Sequence, residues 1–157
     1  MTVALWCLDS NAFINAWNKL YSPDFAPDYW DTLARLSKEG RAFVSEEVRE
    51  EIVPADDDLA SWVKANIEFY PLTDDVQQAV ARVMAEHGKL IAVEGFHSRA
   101  DPFVIATGLV TGSTVVTTEE YGTRNKPKIP YVCDQIGVAH ATLTEFIRAE
   151  RIFLGSR

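Results

Sequence analysis

Apolar residues along the chain follow two kinds of pattern, short continuous runs and longer segments with helical spacing. The runs at residues 3–8, 42–44 and 114–117 are typical of strands that are buried on both faces. Segments in which apolar residues recur every three or four positions predict helices. The predicted helices cover residues 11–20, 29–38, a stretch after Ser45, 58–65, 74–87, 101–112 and 142–150.

Four other segments have a weaker pattern. Residues 67–71 and 129–132, together with Ala139, are candidates for short strands. Residues 122–130 are rich in Gly, Pro and Lys and predict a loop, and residues 88–97 predict a loop or a partial helix. Strands that alternate with helices predict right-handed crossovers and a parallel sheet with helices on both faces, which is an α/β fold.

Acidic residues fall where the predicted strands end. Asp9 directly follows the first apolar run, and Glu119 follows the last one. Glu47 and Glu51 share one face of the helix that comes after the second run. Asp101 is the first residue of an apolar helix. In an open parallel sheet these positions converge on one crevice. Carboxylates gathered in one crevice repel each other unless a cation lies between them. The pattern therefore predicts a divalent metal site suited to phosphodiester chemistry.

Each acid also has an ordinary structural interpretation. Asp9 and Asp101 are both placed to cap the helix that follows them, and an acid after a strand, such as Glu119, is common. The joint pattern favours the metal site over separate coincidences. Asn11 lies two residues after Asp9, and Thr117 two residues before Glu119. Either side chain could hydrogen-bond a carboxylate and hold it in place, or serve only as a cap or turn residue.

The overall charge does not decide whether the partner is a nucleic acid. The net charge of −8 argues against one, because phosphate binding requires Lys and Arg, but several of the acids would belong to the metal site. Arg124, Lys126 and Lys128 fall within five positions shortly after Glu119. This basic cluster is a candidate for phosphate contacts, and a solvated loop is the alternative interpretation.

Composition narrows the class of protein. The chain has 157 residues and no linker-like segment, so we expect a single domain over residues 1–157. No apolar stretch approaches the roughly 18 residues that span a bilayer, and we expect no membrane segment. Cys7 and Cys133 show no CxxC spacing and predict reduced, buried thiols of a cytoplasmic protein. The three histidines lack metal-ligand spacing, and no phosphate-binding glycine loop or serine-hydrolase motif is present.

At these acids the chain resembles the PIN-domain ribonuclease superfamily, particularly the toxin halves of bacterial VapBC-type toxin–antitoxin pairs and a largely uncharacterised branch of PIN-like proteins. The motifs stand in the family's order. They are Leu8-Asp9-Ser10-Asn11 with Ile14, Val48-Arg49-Glu50-Glu51-Ile52, Ala100-Asp101-Pro102-Phe103-Val104-Ile105-Ala106 and Val116-Thr117-Thr118-Glu119. The resemblance implies a three-layer α/β/α PIN-like fold with a central parallel sheet of about four to five strands.

The resemblance also implies a metal-dependent endoribonuclease that uses Mg²⁺ or Mn²⁺. It makes Asp9, Glu51, Asp101 and Glu119 the catalytic acids, with Asp9, Asp101 and Glu119 as metal ligands and Glu47 as the alternative to Glu51. The family's fourth acid is usually Asp, so the longer Glu119 leaves open whether one or two metals bind. The implied partners are an RNA substrate, a cognate antitoxin that covers the crevice, and a second copy of the chain.

Three alternatives remain at this stage. A catalytically silent PIN-like module would bind RNA or a protein partner without cutting. A metal-dependent phosphatase or nucleotide hydrolase commonly carries its aspartate nucleophile in a DxD motif, whereas this chain has Asp9-Ser10-Asn11. A receiver domain would need a phosphoacceptor aspartate paired with a lysine, and no such arrangement stands out. Activity that depends on a divalent metal separates the nuclease from the silent module.

Overall fold

The computed structural model describes residues 3–88 and 100–154 and has an α/β architecture. The strands are β1 (Trp6–Leu8), β2 (Ala42–Phe43), β3 (Thr114–Val116) and β4 (His140–Ala141). The helices are α1 (Asn11–Asn15), α2 (Pro27–Lys38), α3 (Glu46–Ile52), α4 (Asp58–Asn66), α5 (Asp74–His87), α6 (Asp101–Thr111), α7 (Ile129–Ile136) and α8 (Leu143–Ala149). A π-helix (Ala16–Leu20) continues α1, and a 3-10 turn (Val53–Ala55) follows α3.

The four strands form one parallel sheet in the order β2-β1-β3-β4. Within it Trp6 pairs with both Ala42 and Thr114, and Leu8 pairs with Val116. All three residues of β1 are buried, as expected for a central strand covered on both faces. The predicted fold class, an α/β protein with a parallel sheet flanked by helices, is confirmed.

Helix α6 lies directly against the sheet. Pro102 occupies its first turn, where the missing amide hydrogen is tolerated, and Gly112 ends it with a left-handed φ of 67°. At Gly108 a β-carbon would lie 2.7 Å from Cγ2 of Val115, so the helix backbone approaches β3 too closely for a side chain. This close packing fixes the first residue of α6, Asp101, above the carboxyl end of the sheet.

Aromatic residues of α2 fix the segment that follows β1. The hydroxyl of the fully buried Tyr29 donates a 2.6 Å hydrogen bond to the carbonyl of Ala12, and the indole of Trp30 donates to the carbonyl of Tyr21 at 2.7 Å. The Trp30 ring also packs edge-on against Trp17. Helix α1 therefore leaves the end of β1 along a defined direction.

One carboxylate connects residues at the amino edge of the sheet, the edge opposite to Asp101. Oε2 of Glu150, just after α8, accepts hydrogen bonds from the Trp6 indole at 2.7 Å and from the Arg41 guanidinium at 2.5 Å. Trp6 is the first residue of β1, and Arg41 directly precedes β2. The end of α8 therefore lies at the amino edge of the sheet, away from the carboxyl ends of the strands.

Two weak strand predictions are wrong, and a third is displaced. Residues 129–132 are not a strand but the start of α7, whose apolar positions 129, 132, 133 and 136 have helical spacing that ends at Gly137. Residues 67–71 make only an isolated parallel bridge, in which Tyr70 pairs with Ser45 beside β2. The strand expected near Ala139 is β4, one residue later.

Two other predictions concern residues 11–20 and 88–97. The predicted helix at residues 11–20 is confirmed as a helical segment, but it changes from α to π geometry after Asn15. Of the predicted loop at residues 88–97, all but Gly88 lies outside the described residues, as does His97. Within the described part of the chain, no helix is long and apolar enough to cross a membrane.

Candidate metal centre

Three of the predicted acids meet at the carboxyl edge of the sheet. Asp9 directly follows β1, Asp101 begins α6, and Glu119 lies three residues beyond β3. One carboxylate oxygen from each lies within 4.8 Å of the others. Only 2% of the surface of Asp9 and 1% of that of Asp101 is exposed to solvent, whereas Glu119 is half-buried. The cluster therefore has two acids in the interior and one at its mouth.

The sheet itself delivers Asp9 to this position. Its amide donates a 3.1 Å hydrogen bond to the carbonyl of Val116, so the pairing of β1 with β3 continues past the last residue of β1. Its own carbonyl accepts from the amide of Ala12 in the first turn of α1. Asp9 is therefore fixed between β1 and α1, with Thr117, the residue that follows β3, beside it.

Polar neighbours hold the Asp9 carboxylate on both of its oxygens. Oδ1 accepts from the amide of Ser10 at 2.7 Å, and Oδ2 accepts from the side-chain amide of Asn11 and the hydroxyl of Thr117, both at 2.9 Å. Burial, and then the charge of Glu119, raise the pKa of Asp9 to about 7, and the hydrogen bonds from Thr117 and Ser10 only partly offset this. A buried carboxylate this hard to ionise would gain from a nearby cation.

Asn11 connects the two strand ends that carry the acids. Its amide nitrogen also donates to Thr117 Oγ1 at 3.2 Å, and its carbonyl oxygen accepts from the backbone amide of Thr118 at 3.0 Å. One helical turn later, Asn15 donates to the hydroxyl of Thr118 at 3.0 Å. The two residues expected to support the carboxylates, Asn11 and Thr117, therefore do contact Asp9 and each other.

Glu119 reaches across to α7. Its amide donates to Thr117 Oγ1 at 3.1 Å, and its Oε2 accepts a 3.1 Å hydrogen bond from the amide of Ile129, the first residue of α7. The extra methylene of Glu relative to Asp lengthens this reach. The sequence does not predict this contact, because residues 129–132 are predicted as a strand where the structure has the start of α7.

The two candidates for the second acid, Glu51 and Glu47, differ in their effect on Asp9. Both lie on α3 and are half-buried, but Glu51 is the one whose charge helps to raise the pKa of Asp9. The backbone of Glu47 instead donates to the Ser45 hydroxyl that caps α3. Among the described residues, neither glutamate joins the group of carboxylates within 4.8 Å.

The basic cluster lies on a closed loop beside Glu119. Arg124 and Lys126 are exposed, and Lys128 is half-buried. The loop folds back on itself, since Thr123 and Lys126 exchange two hydrogen bonds and Gly122, with a φ of 85°, packs against the backbone of residue 128. The loop ends at the start of α7, whose first amide contacts the Glu119 carboxylate, so Lys128 directly precedes a residue that contacts the acidic cluster. Arg124 instead lines a cavity together with His87 at the end of α5 and Tyr131 on α7.

The chemistry of the donor set fits a hard divalent cation. Carboxylate oxygens are the ligands that Mg²⁺ and Mn²⁺ prefer. Oxygens bound to one such ion lie at most about 4.2 Å apart, so carboxylates within 4.8 Å need only small side-chain rotations. Burial raises the pKa of both free thiols, that of Cys133 to about 12, so neither Cys7 nor Cys133 offers a thiolate. His140 is engaged elsewhere, with Asp134.

Comparison with known proteins gives a family and a fold. The family model described as "Domain of unknown function (DUF4411)" matches residues 6–154. The chain is similar to the crystal structure of VapBC2 from Rickettsia felis bound to a DNA fragment from their promoter, with 16% identity over 88% of this chain and 98% of that chain and a TM-score of 0.57. It is equally similar to DNA-bound VapBC from Salmonella typhimurium, with 15% identity over 89% and 98% of the two chains and a TM-score of 0.57. No curated protein sequence gives a significant match.

Identity at this level establishes the fold and not the activity. The four-stranded parallel sheet and its flanking helices agree with these structural matches. The chain belongs to the DUF4411 family, and its fold is that of the VapC-type PIN domains.

Proposed function

We propose that this chain is a metal-dependent endoribonuclease and the toxin half of a toxin–antitoxin pair. The observation that carries the proposal is the convergence of the Asp9, Asp101 and Glu119 carboxylates, within 4.8 Å, at the carboxyl edge of a PIN-like sheet. Carboxylates buried this deeply at a strand end are costly to keep charged unless they serve a cation. A nuclease site explains that cost.

Asp9, Asp101 and Glu119 would hold Mg²⁺ or Mn²⁺, with Glu51 at the side of the site. When bound, the cation supplies an activated water and stabilises the charge that develops on the phosphate. The chain's own contribution is to fix the ligands in advance. The hydrogen bonds of Asn11 and Thr117 to Asp9 restrict its carboxylate to one orientation, so little reorganisation is needed on binding.

The basic loop would bind the RNA backbone beside the site. Arg124, Lys126 and Lys128 contribute cations next to a cluster that otherwise repels phosphate. The loop is closed by its own hydrogen bonds, so these cations are presented on a defined surface rather than on a flexible tail. Contacts of this kind position RNA without reading its sequence.

The proposed partners are an antitoxin and a second copy of the chain. The two similar structures are DNA-bound VapBC assemblies. By analogy we infer a cognate antitoxin for this chain, and the acidic crevice is the surface that we propose it covers. A crevice with three carboxylates attracts a basic side chain, which would compete with both the cation and the RNA. The antitoxin would then inhibit RNA cleavage electrostatically as well as sterically.

The test is cleavage of a labelled single-stranded RNA by the purified chain. We expect cleavage with Mg²⁺ or Mn²⁺, none with EDTA, and at least a hundredfold loss in Asp101→Asn, since removing a metal ligand typically disables such a site. Glu68→Gln is the matched control, because Glu68 is exposed and its side chain lies outside the cluster. RNA binding that persists without cleavage under either metal would instead indicate the catalytically silent module.

A further inference from the structure

An exposed tyrosine lies beside the acidic cluster and is held unusually firmly. Tyr121 is 47% exposed and follows Glu119 by two residues, so their α-carbons are at most about 7 Å apart. The basic loop begins at the next residue, Gly122. Acid, ring and cations therefore follow one another along a single short surface segment.

Two contacts restrict the Tyr121 side chain although it faces solvent, and two further contacts hold its partner Asp134 and its backbone. Its hydroxyl donates a 2.6 Å hydrogen bond to Oδ2 of Asp134 on α7. Oδ1 of that aspartate is 2.9 Å from Nε2 of His140 on β4. The ring packs edge-on against Tyr131, with centroids 5.8 Å apart and an interplanar angle of 85°. The Tyr121 carbonyl also accepts from the amide of Tyr131 at 3.1 Å.

Fixing an exposed side chain in this way has an entropic cost, and the buried core does not gain from it. The benefit lies in a flat aromatic ring that is held at a constant angle where the basic loop begins. Aromatic rings of this kind stack on unpaired bases, while neighbouring cations contact the phosphates. A protein partner could also use an exposed tyrosine, but the adjacent Arg124 and Lys126 favour a polyanion.

We propose that the Tyr121 ring is a stacking platform for an unpaired RNA base next to the cleaved phosphate, and that Asp134 and His140 are positioning residues for that ring. This inference rests on the proposed ribonuclease function and names its substrate as unpaired rather than duplex RNA at this point. The platform requires no sequence-specific hydrogen bond, so it tolerates every base.

The test measures binding of a single-stranded RNA of about ten nucleotides that carries 2-aminopurine, in an Asp101→Asn background with Mg²⁺ present. We expect Tyr121→Ala to weaken binding by about 5- to 100-fold, the usual range for losing one base–aromatic stack. It should also remove the fluorescence quenching that stacking produces. Tyr121→Phe keeps the ring but loses the hydrogen bond to Asp134, so its affinity and quenching should lie between those of the parent and Tyr121→Ala.

Phe153→Ala is the matched control, since Phe153 is 73% exposed and lies beyond α8 at the amino edge of the sheet. It should leave RNA affinity unchanged, as should any Tyr121 variant tested with a fully paired RNA duplex of the same sequence. Thermal melting of each variant separates an effect on stacking from an effect on folding.

Two results would overturn the inference while leaving the ribonuclease in place. One is unchanged affinity and quenching in Tyr121→Ala when the parent chain cleaves RNA; a simultaneous loss of antitoxin binding would then assign the ring to the protein interface. The other is an equal loss for single-stranded and duplex RNA, which would show that the ring does not stack. Failure of the parent chain to cleave or bind RNA at all would count against the proposed function itself.

Discussion

Asp9→Asn should make the metal-free protein more stable at high pH and less stable at low pH. The Asp9 carboxyl has an ordinary pKa of 3.8, and in the folded protein burial and the Glu119 charge raise it to about 7. Between these values the folded state binds more protons than the unfolded state. The free energy of unfolding of the parent protein therefore falls as the pH rises from about 4 to about 7. Above about pH 7 the contribution of Asp9 to this free energy no longer changes.

The magnitude follows from the size of this shift. Each pKa unit corresponds to about 1.4 kcal/mol of free energy. Above pH 7, ionised Asp9 therefore lowers the free energy of unfolding by about 4 kcal/mol. Asparagine removes this cost but offers one acceptor oxygen where the carboxylate has two. Loss of one of the hydrogen bonds from Ser10, Asn11 and Thr117 costs about 1–3 kcal/mol at every pH. The two effects have opposite signs, and only the first depends on pH.

The assay is urea denaturation in EDTA at about pH 5 and about pH 8. The stability of Asp9→Asn relative to the parent should increase by about 2–3 kcal/mol between the two, since the Asp9 penalty is only partly developed at the lower pH. Glu68→Gln, which removes one exposed carboxylate, is the control and should show no comparable change. A pH-independent difference in stability between Asp9→Asn and the parent would mean that folding does not raise the pKa of Asp9.

Three further outcomes follow from the same structure. Saturating Mg²⁺ or Mn²⁺, at about 100 times its dissociation constant, should stabilise the parent by about 3 kcal/mol in thermal or urea unfolding; an equal gain in Asp9→Asn would indicate a nonspecific salt effect. Replacing Arg124, Lys126 and Lys128 together by Ala should make RNA affinity less dependent on salt. The slope of log affinity against log salt concentration should fall by about one for each phosphate that the loop no longer neutralises. An unchanged slope would show that this loop does not bind RNA. Glu150→Gln should lower the free energy of unfolding by about 2 kcal/mol without changing RNA cleavage, because it leaves the largely buried Arg41 guanidinium with only the longer, 3.8 Å ion pair to Glu39. A loss of stability below about 1 kcal/mol would show that the Arg41–Glu150 ion pair behaves as an exposed one.

The acids could be predicted from the sequence because local patterns place them. A buried strand ends where its apolar run ends, so Asp9 had to lie at the carboxyl edge of the sheet, and Pro102 marks the start of the helix that carries Asp101. Glu119 follows the third strand for the same reason. These positions need no knowledge of side-chain packing.

Contacts between distant segments could not be predicted in this way. The hydrogen bond from Ile129 to Glu119 depends on α7, whose short apolar stretch fits either a strand or a helix until its packing is known. The contact of Tyr121 with Asp134 and His140 joins a loop, a helix and an edge strand. Glu47 and Glu51 share one face of α3, so the choice between them depends on which end of that helix lies nearer the crevice, and the four-residue spacing leaves this undetermined.

A crystal soaked in Mn²⁺ shows whether Asp9, Asp101 and Glu119 together hold one divalent cation. We expect an anomalous peak among the three carboxylates, with oxygens of Asp9 and Asp101 about 2.0–2.6 Å from the ion. No such peak is expected in Asp101→Asn crystals treated identically. Crystals of the parent that show no manganese at this position, under a Mn²⁺ concentration that supports RNA cleavage in solution, would contradict a cation site shared by the three carboxylates.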